Sequence, residues 1–326
     1  MHVIGQSREG RALFGLVVGN GPLRAAIVAG AHADEPVGPR TAVHFAAALA
    51  RGEHEWARRL AARFTFHIVP HANPDGDALN AEWQRNPGDF AHYLQHAVRD
   101  LPGDDVEFNY PRTSDDRDTR PENLAVADFW RASGGTFHFH ASLHSMGVAE
   151  GAWFLVCREW AERAVASGLT DRLAAAASDA GLGLHDVERH GEKGFKRFAP
   201  GFSTTPRSDA MRAFFLRGGD PATAALFRPS SMEFVQSLGG DPLCIVSEFP
   251  YFRMSTAAAS SAPLDMRPFF ALLSRLRAAR GAAAQGNLEP ARALAAEYAI
   301  EPVAWEVHHD MQMRFLREAL ALVSKQ

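Results

Sequence analysis

The sequence predicts an α/β protein: a three-layer sandwich in which a central mixed, mostly parallel twisted sheet carries helices on both faces. Three observations predict it. Short runs rich in β-branched and aromatic residues alternate with helical runs along most of the 326 residues. Several strand-like runs are almost continuously apolar, as strands buried on both faces of a sheet are. Gly, Pro, Asn and Asp mark the junctions between runs.

The first strands are expected at residues 12–18 and 23–29. A helix over 36–51 follows, with prolines in its first turn and Gly52 as its stop. A third strand covers 64–70. Residues 73–86 are polar, with Pro74-Asp75-Gly76 as a turn signal, and residues 101–120 are dense in Asp, Arg and Pro. Both read as long loops, which in a compact domain are functional or disordered. Further strands are expected at 136–143, 152–157 and 243–249, and helices at 121–132, 159–180, 208–216 and 264–280. The Ala-rich stretch 278–299 and the helical pattern of 305–323 read as a C-terminal helical extension, residues 281–326, packed on the main domain of residues 1–280.

Bulk properties exclude several function classes. With 34 Lys and Arg against 38 Asp and Glu, the formal net charge is −4, so no basic field favours nucleic acid or an anionic membrane. No apolar run approaches a bilayer-spanning length. The N-terminus, Met1-His2-Val3-Ile4-Gly5-Gln6-Ser7, lacks the regions of a signal peptide. Cys157 and Cys244 sit in apolar strand-like runs and read as buried free thiols. Together these features lead to the expectation of a cytoplasmic protein.

The second strand runs into His32-Ala33-Asp34-Glu35, a His-x-x-Glu pair at a strand end, where loops of open α/β sheets diverge and leave a crevice. A solvated surface turn would look the same. Far downstream, Ser142-Leu143-His144-Ser145 offers a second imidazole. Alternation puts His138, His140, Ser142 and His144 on one strand face. His144 is favoured as a ligand because it stands where the strand is expected to stop; His138 and His140 lie deeper. Two imidazoles and one carboxylate form a set that zinc accepts while keeping a position open for water. Glu248 ends the run Cys244-Ile245-Val246-Ser247, and Pro250 is expected to break that strand. A partly desolvated carboxylate there has a pKa raised toward that of a general base, although a simple cap would read alike. His308-His309-Asp310 lies in a helical run whose adjacent side chains diverge, so it reads as surface.

In order and spacing, these motifs resemble the zinc metallocarboxypeptidases of the carboxypeptidase A type. Gly5-Gln6-Ser7-Arg8-Glu9-Gly10-Arg11 resembles the opening of that catalytic domain. His32-x-x-Glu35, Asn73-Pro74-Asp75-Gly76, Pro121-Glu122, Leu143-His144-Ser145 and Val246-Ser247-Glu248 follow in family order. The resemblance implies one zinc per chain, held by His32, Glu35 and His144, which polarises the scissile carbonyl and activates water. It implies that Glu248 takes a proton from that water and delivers it to the leaving amine. Arg85 resembles the arginine that stabilises the oxyanion. Glu107 stands where the family has an Asp bonded to the first zinc histidine, and is expected to orient His32.

Two departures bear on the substrate. The family reads Asp-x-Asn-Arg-Asn-Phe-Pro where this chain has Glu107-Phe108-Asn109-Tyr110-Pro111, two residues shorter in this register. Asn109 is retained for gripping a substrate carboxylate, the arginine is missing, and Arg112 is a candidate replacement. The family's mobile tyrosine is absent; Phe227 or Arg228 takes its neighbourhood, and Arg228 is a candidate for binding an anionic group. The expected activity is therefore a zinc-dependent metallocarboxypeptidase acting on peptides. The alternatives are an amidase or deacylase on the same scaffold, cleaving a murein-type peptide or an N-acyl amino acid, and a non-catalytic metal-binding homologue.

Overall fold

The computed structural model describes residues 1–255 and 264–324. The first half of the chain contains β1 (His2–Gln6), β2 (Ala12–Val18), β3 (Leu23–Ala29), α1 (Val37–Arg51), α2 (Glu55–Arg63), β4 (Phe64–Val69), α3 (Pro74–Asn80), α4 (Phe90–His96), α5 (Pro121–Arg131), β5 (Phe139–Ala149) and β6 (Trp153–Val156). Then come α6 (Ala161–Ala166), α7 (Leu169–Asp179), β7 (Val187–Glu188), β8 (Arg197–Ala199), β9 (Phe202–Thr204), α8 (Ser208–Arg217), α9 (Pro221–Leu226) and α10 (Ser231–Ser237). The chain continues through β10 (Leu243–Arg253), β11 (Leu264–Asp265), α11 (Met266–Ala284), α12 (Glu289–Glu297), β12 (Glu301–Pro302) and α13 (Trp305–Val323).

The main sheet has the order β1-β2-β4-β3-β5-β10-β6-β9-β8, with β12 added to β10. Its centre, β4-β3-β5-β10, is parallel, while β1-β2, β2-β4, β6-β10 and β8-β9 are antiparallel. Side-chain alternation divides β3 between two cores. Ala25, Ile27 and Ala29 face a cluster with Phe45 of α1, Leu173 of α7 and Phe315 of α13. Ala26 and Val28 face another with Val126 and Trp130 of α5 and Phe234 of α10. Helices thus cover both faces, as the expected sandwich requires. Gly38 lets α1 lie close on β5: a Cβ there would stand 2.6 Å from the Leu143 carbonyl oxygen.

Several elements differ from expectation. Residues 73–86 are not an open loop: Asn73 accepts a hydrogen bond from the Gly76 backbone N–H (3.0 Å) and caps α3, with Pro74 in its first turn. The helix expected at 159–180 is divided at Gly168, whose φ of 69° ends one helix and starts the next. Two of the central strands run on past their expected ends. β5 continues past His144 to Ala149, and β10 passes Pro250 to Arg253. Pro250 is tolerated because the pairing of β10 with β6 ends at Glu248, so its missing N–H leaves no β6 carbonyl unpaired. His308 is fully buried, not on the surface, because it lies on the apolar stripe of α13 with Met311, Phe315 and Ala319. Among the described residues no helix is long and apolar enough to cross a membrane.

Candidate metal centre and cleft

The site forms where the neighbours of two long strands stop. β3 pairs with β5 as far as Ala29 opposite Leu143, and its chain then turns away through Gly30 at φ 64°. That turn carries His32, Asp34 and Glu35. β5 and β10 continue side by side, with His144 in register with Glu248. The chain turning off β3 is thereby held against His144, and Glu248 lies on the next strand.

Three donor atoms converge. Nδ1 of His32 lies 2.7 Å from Oε1 of Glu35, and Nδ1 of His144 lies 3.0 Å from Nδ1 of His32 and 2.8 Å from Oε2 of Glu35. Bonds of about 2.0–2.1 Å in a tetrahedron place ligand atoms about 3.3 Å apart. The three residues therefore fit a zinc ion with an outward adjustment of a few tenths of an ångström. Glu35 and His144 are buried, and His32 is partly so. Burial, the largest influence on Glu35, acts to raise its pKa, but His32, His144 and Arg99 hold it well below the usual carboxylate range. Burial likewise acts to lower His144, and Glu35 with Glu107 lifts it well above an ordinary histidine. The centre is built to hold positive charge.

A polar frame fixes these donors. Nε2 of His144 lies 2.7 Å from Ser142 Oγ and 3.3 Å from Oε2 of Glu107, whose Oε1 accepts from the Ser231 hydroxyl at 3.0 Å. Contacts on Nε2 leave Nδ1 facing the metal position. Glu107 therefore reaches His144, not His32. The acid facing Nε2 of His32 is Asp105, at 3.7 Å. This corrects the register of the loop. Read from Asp105, the segment fits Asp-x-Asn-Arg-Asn-Phe-Pro without shortening, and Glu107 and Phe108 stand where the family has Asn and Arg. Behind the strands, Gln312 of α13 donates to the His144 carbonyl (3.3 Å), and Nε2 of His308 lies 2.8 Å from the Pro250 carbonyl.

The remaining expected site residues fall at different places. Glu248 lines a cleft of about 410 Å³ together with Arg99, Trp153 and Met146. Burial, with Glu35 adding to it, pushes Glu248 up to about 7, against the pull of His144, His32 and Arg99. Arg85 is exposed and ion-paired with Glu82 at 2.6 Å. Asn109 is buried, and its side chain is engaged within its own loop by Gly103 and Thr119. Arg112 is exposed, with its backbone N–H on Asp116, and Arg228 is buried in an ion pair with the same Asp116. None of these four lines the cleft of Glu248. His140 contacts Ser231 and the Ala26 carbonyl, and burial pushes it down to about 4.

Arg99 is the residue that the sequence did not reveal. Its guanidinium reaches Asp34 and Glu35, each at 3.0 Å, and lies 2.8 Å from Nδ1 of His32. It comes from Ala97-Val98-Arg99-Asp100, a segment without a motif. Tyr93 holds Asp34 from the other side at 3.2 Å. Such an array can bind a divalent cation, deprotonate a nearby water and stabilise negative charge.

Residues 1–150 match the family model described as zinc carboxypeptidase. A curated relative, zinc carboxypeptidase A 1 of Anopheles gambiae, is 32% identical over 87 residues, which is 25% of this chain and 20% of that protein. The chain thus spans about a fifth of the length of this relative. Among solved structures, the metallo-carboxypeptidase from Burkholderia cenocepacia superposes with a TM-score of 0.54 at 15% identity, covering 99% of this chain and 64% of that one. The Pseudomonas aeruginosa metallo-carboxypeptidase in complex with (2-guanidinoethylmercapto)succinic acid gives 0.50 at 16% identity, with 99% and 64% covered. Residues 1–150 are thus homologous to the zinc carboxypeptidase family, and the chain as a whole has a carboxypeptidase-like α/β sandwich fold.

Proposed function

We propose that this chain is a zinc-dependent hydrolase of peptide or amide bonds, working by metallocarboxypeptidase chemistry. The convergence of His32, Glu35 and His144 beside Glu248 on the neighbouring strand carries this reading. His32 Nδ1, a Glu35 oxygen and His144 Nδ1 would hold one zinc per chain. A bound zinc supplies Lewis acidity to the scissile carbonyl and to the attacking water. Glu248, with its pKa lifted by burial, accepts the proton of that water and passes it to the leaving amine. Arg99 sets a fixed positive charge beside the ligands, suited to the oxygen that gains negative charge. A cytoplasmic setting belongs to this reading and rests on the buried free thiols Cys157 and Cys244.

The test is Glu248→Gln. Zinc content is expected to stay near one per chain while turnover of an acylated peptide falls by about 10²–10⁴-fold. Turnover that persists with zinc bound refutes the role of Glu248. The second reading, an amidase or deacylase, is favoured by one observation: Glu107 and Phe108 replace the pair that would grip a free C-terminus. Equal turnover of peptides with free and amidated C-termini selects that reading.

A further inference from the structure

The wall of the cleft formed by α11 has a distinct composition. Leu273, Leu276, Arg277 and Arg280 all line the cavity that holds Glu248 and Arg99. Their spacing, i, i+3, i+4 and i+7, is that of one helix face. This face is therefore turned into the cleft as a unit. Its two arginines lack carboxylate partners among the described residues; Arg280 lies 5.8 Å from the Tyr93 ring centroid. By contrast, Arg275 on the same helix is paired with Glu297 at 2.6 Å. The other acid of the cavity, Asp34, is already taken by Arg99 and Tyr93. Two arginines and two leucines thus line the cleft of Glu248, and neither arginine has a carboxylate partner among the described residues.

Among the described residues, the groups next to Glu107 are less suited to binding a carboxylate. Glu107 is an acid bonded to His144 and Ser231, Phe108 carries no charge, and Arg228 is neutralised by Asp116. A carboxylate brought to Glu107 meets repulsion, while one brought to α11 meets two cations that have no carboxylate partner among the described residues. We propose that Arg277 and Arg280 bind a carboxylate of the substrate, with Leu273 and Leu276 accepting an apolar side chain next to it. The substrate class is a peptide or N-acyl amino acid that bears a free carboxylate. This rests on the hydrolase reading of the same cleft.

The experiment is a calorimetric titration of the zinc-loaded Glu248→Gln protein, so that binding is read without turnover. The probes are N-acetyl-leucyl-leucine, N-succinyl-leucyl-leucinamide and the neutral N-acetyl-leucyl-leucinamide. They place the carboxylate at one end, at the other end, or nowhere. At least one acidic probe is expected to bind about tenfold or more tightly than the neutral one. That preference is expected to shrink in 0.5 M salt and to vanish when Arg277→Gln and Arg280→Gln are added, while Arg275→Gln leaves it intact. Equal binding of all three probes, or a preference that survives the paired substitution, overturns the proposal. Paired Arg→Lys changes, which keep charge and helix, are expected to retain part of the preference; its full retention in high salt is likewise contrary. Acid-selective binding by a protein whose parent cleaves neither peptide refutes the hydrolase reading and leaves this one standing.

Discussion

Glu107→Gln isolates how strongly the polar frame holds the metal centre. The carboxylate stands 3.3 Å from Nε2 of His144, and Ser142 Oγ stands 2.7 Å from the same nitrogen. A hydrogen bond to a charged group contributes about 1.5–3 kcal/mol. Ser142 remains as a partner after the substitution, so the loss is expected at the lower end, about 1.4 kcal/mol or tenfold in zinc affinity, within the 10–100-fold common for such groups. Asp105→Asn is the internal comparison. Its carboxylate lies 3.7 Å from Nε2 of His32, beyond hydrogen-bond reach, so its effect is expected to be smaller, about two- to threefold. Competition against a fluorescent zinc chelator, with circular dichroism to establish folding, measures both. A larger loss in Asp105→Asn than in Glu107→Gln, or no change in the latter, refutes the assignment of Glu107 to His144.

Arg99→Gln is expected to lower kcat by about 10²–10³-fold, the cost of losing one donor to a developing oxyanion. Arg85→Ala, at an exposed residue paired with Glu82, is expected to leave kcat within about twofold; the reverse order returns the role to Arg85. Acid stability is set in part by His140 and His308, each pushed down to about 4, chiefly by burial. Their folded pKa lies below the unfolded value of about 6.5, so the unfolded chain binds protons first. The stability they allow is complete above pH 6.5 and falls as pH drops toward 4, by about 3 kcal/mol for each histidine. Urea unfolding of the metal-free protein between pH 7 and 4.5 measures this decline. His308→Gln is expected to make it shallower, and an unchanged slope refutes the assignment.

The sandwich was legible because strand and helix periods differ and because its central strands are almost wholly apolar. The ligand pair His32 and Glu35 was legible because it follows a strand at a turn. The reason for expecting His144 at a strand end was mistaken. Apolar character fades near His144, but β5 and β10 continue as a pair with each other, and it is their neighbours β3 and β6 that stop. Pairing of this kind is a long-range property and leaves no local mark. Arg99 escaped notice because a lone arginine in an unpatterned segment resembles any solvated one. The reading of Glu107 failed by two residues of register, which only the distance from Asp105 to His32 resolves. His308 did carry a signal: its spacing to Met311, Phe315 and Ala319 puts it on a buried stripe, which outweighs its polarity and that of its neighbour His309.

The bonds from α13 to the back of the site have a consequence for how the protein is made. Gln312 supports the carbonyl of His144 from 168 residues further along the chain. At about 5–20 residues per second, that separation amounts to roughly ten to thirty seconds of synthesis. During this interval both histidines and Glu35 exist, but the rear wall behind them does not. The hydrogen bond from α13 forms only once that helix has docked, so a growing chain passes through a stage in which the three candidate ligands are present and this support is not.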